Sequence, residues 1–424
     1  MVKKKNINQI LKEQVSKIIP SQEELITLQA KTKEITRVLE ENLKKKKIKA
    51  DVFVGGSFAK DTLIKKNKYD VDIFVRFVDN LDDSKISTLM NKIIARDAVR
   101  LHGSRDYFVI HSALADFEII PVLKIKNPGE AKNITDLSYF HVSYVKNKIK
   151  KNPKLANEIR LAKAFAHSQD CYGAESYING FSGYGVELLM ISYGSFIKFI
   201  EAVVKNDAGK QKIILDPEKL FKNKEAIMQQ MNESKLLSPI VLIDPTFKER
   251  NALAALSMAT FEKFKTACSR FLKNPSVQFF ITKNKEAEFS KKYDKNMITL
   301  EFSTEKQAGD IAGTKLKKFS GFFLREASRY FNIKASEFIY DEPKNAGRFL
   351  LVAEQKKEII FPGPPIEMKD RVREFKKEHK NIKIIKGKAF AYEKSVGFEV
   401  FLNNFENEKS GVITSMDVEE IKRL

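Results

Sequence analysis

Residues 52–77 read VFVGGSFAKDTLIKKNKYDVDIFVRF, and the reading of this stretch decides the fold. Asp70, Val71 and Asp72 open an apolar run that continues through Ile73, Phe74 and Val75. A strand sends residues i and i+2 to one face, so the two carboxylates stand side by side. Carboxylates that close repel unless a cation or a proton sits between them. A divalent metal satisfies them, and Mg2+ takes a couple of carboxylates together with phosphate oxygens. Upstream, Gly55, Gly56 and Ser57 make a tight turn into a short basic helix over 58–65. Glycine permits such a turn, and a helix N-terminus offers free N–H groups to phosphate. Alone, the turn is an ordinary turn and the acidic pair an ordinary solvated pair. Their ordered combination, a phosphate cradle ahead of a metal-binding pair, points to nucleotide chemistry.

A third carboxylate comes from residues 115–121, ADFEIIP, which read as another strand. Asp116 and Glu118 share one face, while Phe117 and Ile119 take the other. Laid beside the first strand, this one completes a three-carboxylate cluster of the type that holds two metals about 3.5–4 Å apart for phosphoryl transfer. Glu118, wedged among apolar residues, is the expected third ligand, and Asp116 is the alternative. Further along, Arg160 and Lys163 are three apart on a helix and share a face. Two cations so placed look onto an anion, and a triphosphate would serve.

These motifs resemble the nucleotidyltransferase superfamily of DNA polymerase beta, and more closely the archaeal-type, class I CCA-adding tRNA nucleotidyltransferases. NEIRLAKAF (157–165), YGAESYINGFSGYGVELLMISYGSF (172–196) and IDPTFKERNALAALS (243–257) are similar to that family's middle region, and the resemblance covers about residues 15 to 280. It implies a multidomain α+β protein. A polymerase-beta-like nucleotidyltransferase head is expected over 1–150 and a helical neck and body region over 151–274, followed by a C-terminal α+β module over 275–424 that docks tRNA. The implied activity is template-independent addition of CCA to the 3′ end of the tRNA acceptor stem, from CTP and ATP, in the cytoplasm. The family pattern places two Mg2+ ions on Asp70, Asp72 and Glu118. It places nucleotide contacts on Gly56, Ser57, Lys60, His141, Lys163 and Tyr172, with Arg160 beside Lys163. Arg250 and an aspartate of its turn would read the base. A homodimer is compatible with the family. The chain departs from the pattern where Glu118 stands for the usual Asp, Asp70 for Glu, Leu137 for Arg, Tyr139 for Pro and Phe247 for a second acidic residue. An A-adding enzyme or a poly(A) polymerase would carry the same head motifs, and a non-catalytic RNA-binding protein could retain the fold.

Composition bounds these readings. The chain has 424 residues with 43% hydrophobic content, enough for several domains. No apolar run approaches the ~18 residues of a membrane span, and no signal peptide is read. Cys171 and Cys268 are the only cysteines, which argues for a reducing compartment and against a disulfide framework or a cysteine-based zinc site. A net charge of +21 fits a polyanionic partner. There is no Trp, so base stacking would fall to Tyr, Phe, His or Arg.

Pattern and turn signals predict two helices within 7–46, the second opened by Ser21 with Glu24 closing a capping box. Strands are expected at 51–54 and 70–77, a helix at 84–98, a hairpin at 106–111 and 114–125, and a helix at 157–169. Ser182 should cap an apolar helix running through 186–199, with Glu187 buried and paired. Residues 210–232 read as polar surface, 239–243 as a strand, and 244–272 as a turn running into a helix. Strands follow at 277–282, 298–303, 336–341, 348–354 and 389–401, with helices at 314–331 and 366–379. From 298 onward that order is β-α-β-β-α-β, a ferredoxin-like arrangement.

Overall fold

The structure is a computed structural model describing residues 2–78, 81–101, 105–206, 211–293, 297–306 and 308–424. Residues up to Thr282 form one compact unit, and those from Lys283 form a second. The first unit begins with α1 (Val2–Ile18) and α2 (Gln22–Lys45). As expected, Ser21 caps α2 by a reciprocal box. Its hydroxyl accepts the Glu24 N–H at 3.2 Å, and the Glu24 carboxylate accepts the Ser21 N–H at 2.7 Å.

The chain then lays down β1 (Ala50–Val54), the single turn α3 (Gly56–Ala59), β2 (Tyr69–Phe77), α4 (Asp83–Met90), β3 (Val99–Leu101), β4 (Tyr107–His111) and β5 (Ala115–Leu123). These strands form one sheet in the order β1-β2-β5-β4-β3, with β2 and β5 parallel and the other pairs antiparallel. Tyr69, Val71, Ile73, Val75 and Phe77 are buried with Phe117 and Ile119 against Leu28, Leu39 and Leu43 of α2 and Ile86 and Met90 of α4. Burying the odd-numbered residues of β2 leaves its even-numbered residues on the opposite face. The basic helix expected over 58–65 is confined to α3. Asp61 adopts φ +53°, which ends helical geometry, and residues 60–68 run irregularly to β2. The helix expected to reach 98 stops at Met90.

A second core gathers α5 (Ser138–Lys151), α6 (Lys154–Ser168), α7 (Gly183–Tyr193), α8 (Phe196–Lys205) and α11 (Met258–Lys273). Between α8 and α11 lie β6 (Ile213–Leu215), α9 (Lys224–Gln230), α10 (Glu233–Leu236), β7 (Ile240–Asp244) and β8 (Phe247–Asn251). Lys210, the first residue of the expected polar segment, lies outside the described residues. Ser182 caps α7, but the long helix expected there divides at Gly194, whose φ of +75° starts a new segment. Residues 247–251 form a strand rather than the start of a helix. The Thr246 N–H and hydroxyl both bond Asp244 Oδ1 at 2.8 Å, which closes a turn and returns the chain along β7. At 277–282 the expected strand is replaced by a 3-10 turn over 277–280, which packs Phe279 and Phe280 against Phe165.

The second unit contains α12 (Lys285–Tyr293), β9 (Met297–Ser303), α13 (Gly309–Tyr330), β10 (Phe331–Asp341), β11 (Ala346–Gln355), β12 (Glu358–Pro365), α14 (Lys369–Glu378), β13 (Ile382–Ile385), β14 (Lys388–Lys394), α15 (Phe398–Glu408), α16 (Ser410–Ser415) and β15 (Glu420–Arg423). It is α+β, as expected, but its strands do not form one ferredoxin-like sheet. They divide into β10-β11-β9-β15 and β12-β14-β13. The last expected strand ends at Lys394. Phe401 and Phe405 of the following α15 pack on Phe323 of α13.

The Gly-Gly turn is fixed by what lies beneath it. A Cβ on Gly55 would meet the Phe74 ring at 2.4 Å. Gly56 has φ +61°, and a Cβ there would fall 1.6 Å from Asp72 Oδ2. Gly56→Ala is therefore expected to lower the unfolding free energy by about 1–3 kcal/mol, read as a lower denaturation midpoint at unchanged m-value.

Candidate functional site

The parallel register of β2 and β5 sets Asp70 opposite Asp116 and Asp72 opposite Glu118. All four occupy the sheet face away from the core. Asp70 pairs with Lys66 at 3.1 Å, an exposed contact. Asp116 is claimed by Lys68 and by His111, each at 2.6 Å. Glu118 stands directly opposite Asp72 in that register. Among the described residues, no three His, Cys, Asp or Glu side chains are gathered closely enough to hold a metal ion. The donors share a face and a register rather than a closed cage. Burial, opposed by Lys60 and reinforced by the charge of Asp70, pushes the Asp72 carboxyl above the usual carboxylate range. A cation on this face would relieve that penalty, and an all-oxygen donor set suits a hard ion such as Mg2+.

The turn is strapped to β2 by a hydrogen bond from the Gly55 N–H to the Asp72 carbonyl at 2.9 Å. Beside it lies a small cleft lined by Ser57, Thr62, Lys66, Asp70, Lys163, His167 and Tyr172, among others. Four of the residues singled out from the sequence (Ser57, Asp70, Lys163 and Tyr172) thus meet at one place. Tyr172 stacks on His167 at 4.1 Å between centroids. Gly183 makes room for its hydroxyl, which lies 2.7 Å from where a Cβ would be.

Two of the expected phosphate ligands, of which Lys163 lines the cleft, converge on a carboxylate. Lys60 Nζ lies 2.6 Å from Glu187 Oε2, and Lys163 Nζ lies 2.9 Å from Oε1. Thr62 donates to Oε1 at 3.3 Å and accepts from Lys163 at 3.1 Å. All four side chains are buried. Burial would raise the Glu187 carboxyl, but Lys163 and Lys60 overrule it and hold it down to about 2. Arg160 does not reach the cleft. Its guanidinium bonds the Leu63 carbonyl at 3.0 Å, Asp61 at 2.6 Å and Asn157 at 2.9 Å. Within the protein, Arg160 thus faces Asp61 and Lys163 faces Glu187, and of the two only Lys163 lines the cleft.

His141 and Arg250 meet elsewhere, on Asp244, which is fully buried. His141 Nε2 lies 3.0 Å and Arg250 Nη1 2.9 Å from Oδ2, and the Tyr184 hydroxyl donates to Oδ1 at 3.0 Å. His141 stacks on Tyr184 at 4.1 Å. Burial alone would raise the Asp244 carboxyl, yet His141 and Arg250 bring it far below its usual range. Burial lowers His141 despite Asp244. The other guanidinium donors of Arg250 bond no described residue and remain available to a ligand. Asp244 is the aspartate of the turn that the family pattern pointed to, whereas Tyr184, Thr62 and His167 were not singled out from the sequence and carry no signal by themselves.

A Gly-Gly-Ser turn over a sheet bearing paired acidic strands defines a nucleotidyltransferase of the DNA polymerase beta type. Residues 6–149 match the Second Messenger Oligonucleotide or Dinucleotide Synthetase domain, and residues 157–281 match the tRNA nucleotidyltransferase second domain. The CCA-adding enzyme of Saccharolobus shibatae is 32% identical over 314 residues, 73% of this chain and 70% of that one. The chain belongs to the family of archaeal CCA-adding enzymes. The CCA-adding enzyme of Nanoarchaeum equitans is 36% identical over 273 residues, 64% of this chain and 65% of its own length. That of Methanocaldococcus jannaschii is 29% identical over 399 residues, 91% and 87% of the two chains. Among solved structures, a cytoplasmic RNA terminal U-transferase superposes with TM-score 0.51 at 14% identity, covering 66% of this chain and 99% of that one. This likeness is one of fold. Among the described residues, no helix is long and apolar enough to cross a membrane.

His167 offers a pH test of the site's architecture. Burial, with Lys66 and Lys163 nearby, lowers its imidazole from 6.5 to about 4. The unfolded chain therefore binds the extra proton between those values, and stability falls as pH drops from about 6.5 to about 4. The loss attributable to His167 should reach at most about 3 kcal/mol. His167→Gln is expected to flatten that portion of a denaturation-versus-pH curve.

Proposed function

We propose that this protein adds CCA to the 3′ end of tRNA without a template, drawing the nucleotides from CTP and ATP. The observation that carries the reading is the register of Asp70, Asp72 and Glu118 on one sheet face beneath a Gly-Gly-Ser turn, in a chain of this family. Asp70, Asp72 and Glu118 would hold two Mg2+ ions, which in such sites lower the pKa of the attacking hydroxyl and neutralise charge on the triphosphate. The protein's own groups do the positioning. The Ser57 turn, with Gly56 keeping the backbone low over Asp72, receives phosphate oxygens through N–H groups. Lys163 and Lys60 supply positive charge, and Tyr172 lines the cleft beside Lys163. Positioning and electrostatics of this kind provide most of the catalysis in phosphoryl transfer.

The unengaged donors of Arg250, held in place by Asp244, are directed to base recognition, with His141 and Tyr184 as a rigid neighbour pair. A guanidinium fork suits that task because its donors are planar and fixed. The positive charge of the chain steers a polyanionic substrate, and the unit from Lys283 onward is assigned to tRNA docking.

The test uses purified protein, Mg2+ and a tRNA ending at its discriminator base, with labelled nucleotides resolved on a sequencing gel. Two additions with CTP alone, then one more with ATP, are expected. Addition of A only, to a tRNA already ending in CC, would instead assign an A-adding enzyme. Asp72→Asn is expected to cut addition at least a thousandfold while tRNA affinity changes less than threefold. Turnover retained in that variant would overturn the assignment of the carboxylate face.

A further inference from the structure

The ion cluster of Lys60, Lys163 and Glu187 beside the cleft is not explained by phosphate binding alone. Two lysines would serve a triphosphate without a buried carboxylate between them, and Glu187 subtracts a full charge from the site. Its placement explains why it is there. Lys60 follows the Gly-Gly-Ser turn, Lys163 lies on α6, and Glu187 sits in the apolar α7 with no exposed surface. Each carboxylate oxygen takes one lysine, at 2.6 Å and 2.9 Å. Thr62 occupies the remaining position on Oε1, at 3.3 Å, and also receives a Lys163 N–H at 3.1 Å. An ammonium has three N–H donors and no directional preference of its own. With its counter-ion fixed, Lys60 keeps two donors and Lys163 one for the ligand.

We propose that Glu187 is a positioning residue, a buried counter-ion that aims Lys60 and Lys163 together at the nucleotide's phosphates and makes their contributions interdependent. The inference rests on the nucleotidyl-transfer reading above. Glutamine cannot replace the carboxylate. Its amide accepts from one lysine through oxygen and turns an N–H2 group toward the other. One amine is then left in a low-dielectric site without a counter-ion and loses its fixed direction.

The experiment measures CTP dissociation constants in Mg2+ by calorimetry for wild type, Glu187→Gln, Lys60→Met and the double variant, with tRNA affinity and Tm recorded for each. Glu187→Gln is expected to raise the CTP dissociation constant at least tenfold with tRNA affinity unchanged. Lys60→Met should weaken CTP about tenfold in the wild-type background and less than threefold in the Glu187→Gln background, because the lysine has already lost its aim. A tether serving only to hold the segments together would lower Tm while leaving the CTP constant of the folded protein unchanged. That outcome overturns the inference, as do two substitutions whose effects simply multiply. If Glu187→Gln does not fold, Glu187→Asp decides. It keeps the charge on a shorter arm and is expected to weaken CTP about fivefold, and an unchanged constant overturns the inference. Wild-type protein that bound no CTP would overturn the proposed function and this inference with it. Equal binding by wild type and Glu187→Gln overturns the inference alone.

Discussion

The structure depends on one pairing, the parallel alignment of β2 with β5. Because side chains alternate along a strand, this register decides at once which residues build the core and which form the site. Val71, Ile73 and Val75 lie beside Phe117 and Ile119 in the interior, so Asp70, Asp72 and Glu118 have no choice but the other face. A slip of β2 by one residue would bury Asp70 and Asp72 and expose the core residues between them, an exchange far more costly than the stability of a domain can absorb. The hydrophobic effect therefore enforces the geometry of the chemical site, and the acidic residues need no attraction among themselves to be brought together.

The same economy runs through the electrostatics. The chain carries a large positive excess, yet its most buried cations are not left to face one another. Lys60 and Lys163 share Glu187, Arg160 engages Asp61, and Arg250 and His141 share Asp244. Each cluster ties segments distant in sequence. Buried ion pairs add little net stability once desolvation is counted, but leaving one partner alone is costly. Such clusters make good registration devices for that reason: a misplaced helix strands a charge. The exposed lysines, by contrast, are free to act at long range on a polyanion, with an effect that salt will weaken.

Much of this was legible in the chain. The alternation from Tyr69 to Phe77 and the ADFEIIP strand gave the sheet and its acidic face. The Ser21–Glu24 spacing gave the helix start, and a lone glutamate in the apolar run around Glu187 required a buried partner. What could not be read were facts of tertiary pairing. Nothing local says that the partners of Glu187 are Lys60 and Lys163, from segments 127 and 24 residues away. The segment FKERN has helix-forming composition, yet the Asp244 turn and its pairing with β7 make it a strand. In the C-terminal unit, the prolines of β12 concealed a strand, so a second small sheet was folded into a single ferredoxin-like reading.

The irregular segment from Lys60 to Leu63 is held by side chains that lie 97 to 127 residues further along the chain. It has little regular secondary structure of its own to order it earlier. Contacts of such large sequence separation carry a loop-closure cost that is recovered only after the intervening elements have formed. The sheet and α2 can therefore collapse first, around their own core, while the phosphate side of the cleft waits for α6 and α7 to dock. Folding order thus places the site late: a half-folded chain would display the acidic strands without the lysines behind them, and would have no organised place to engage a triphosphate.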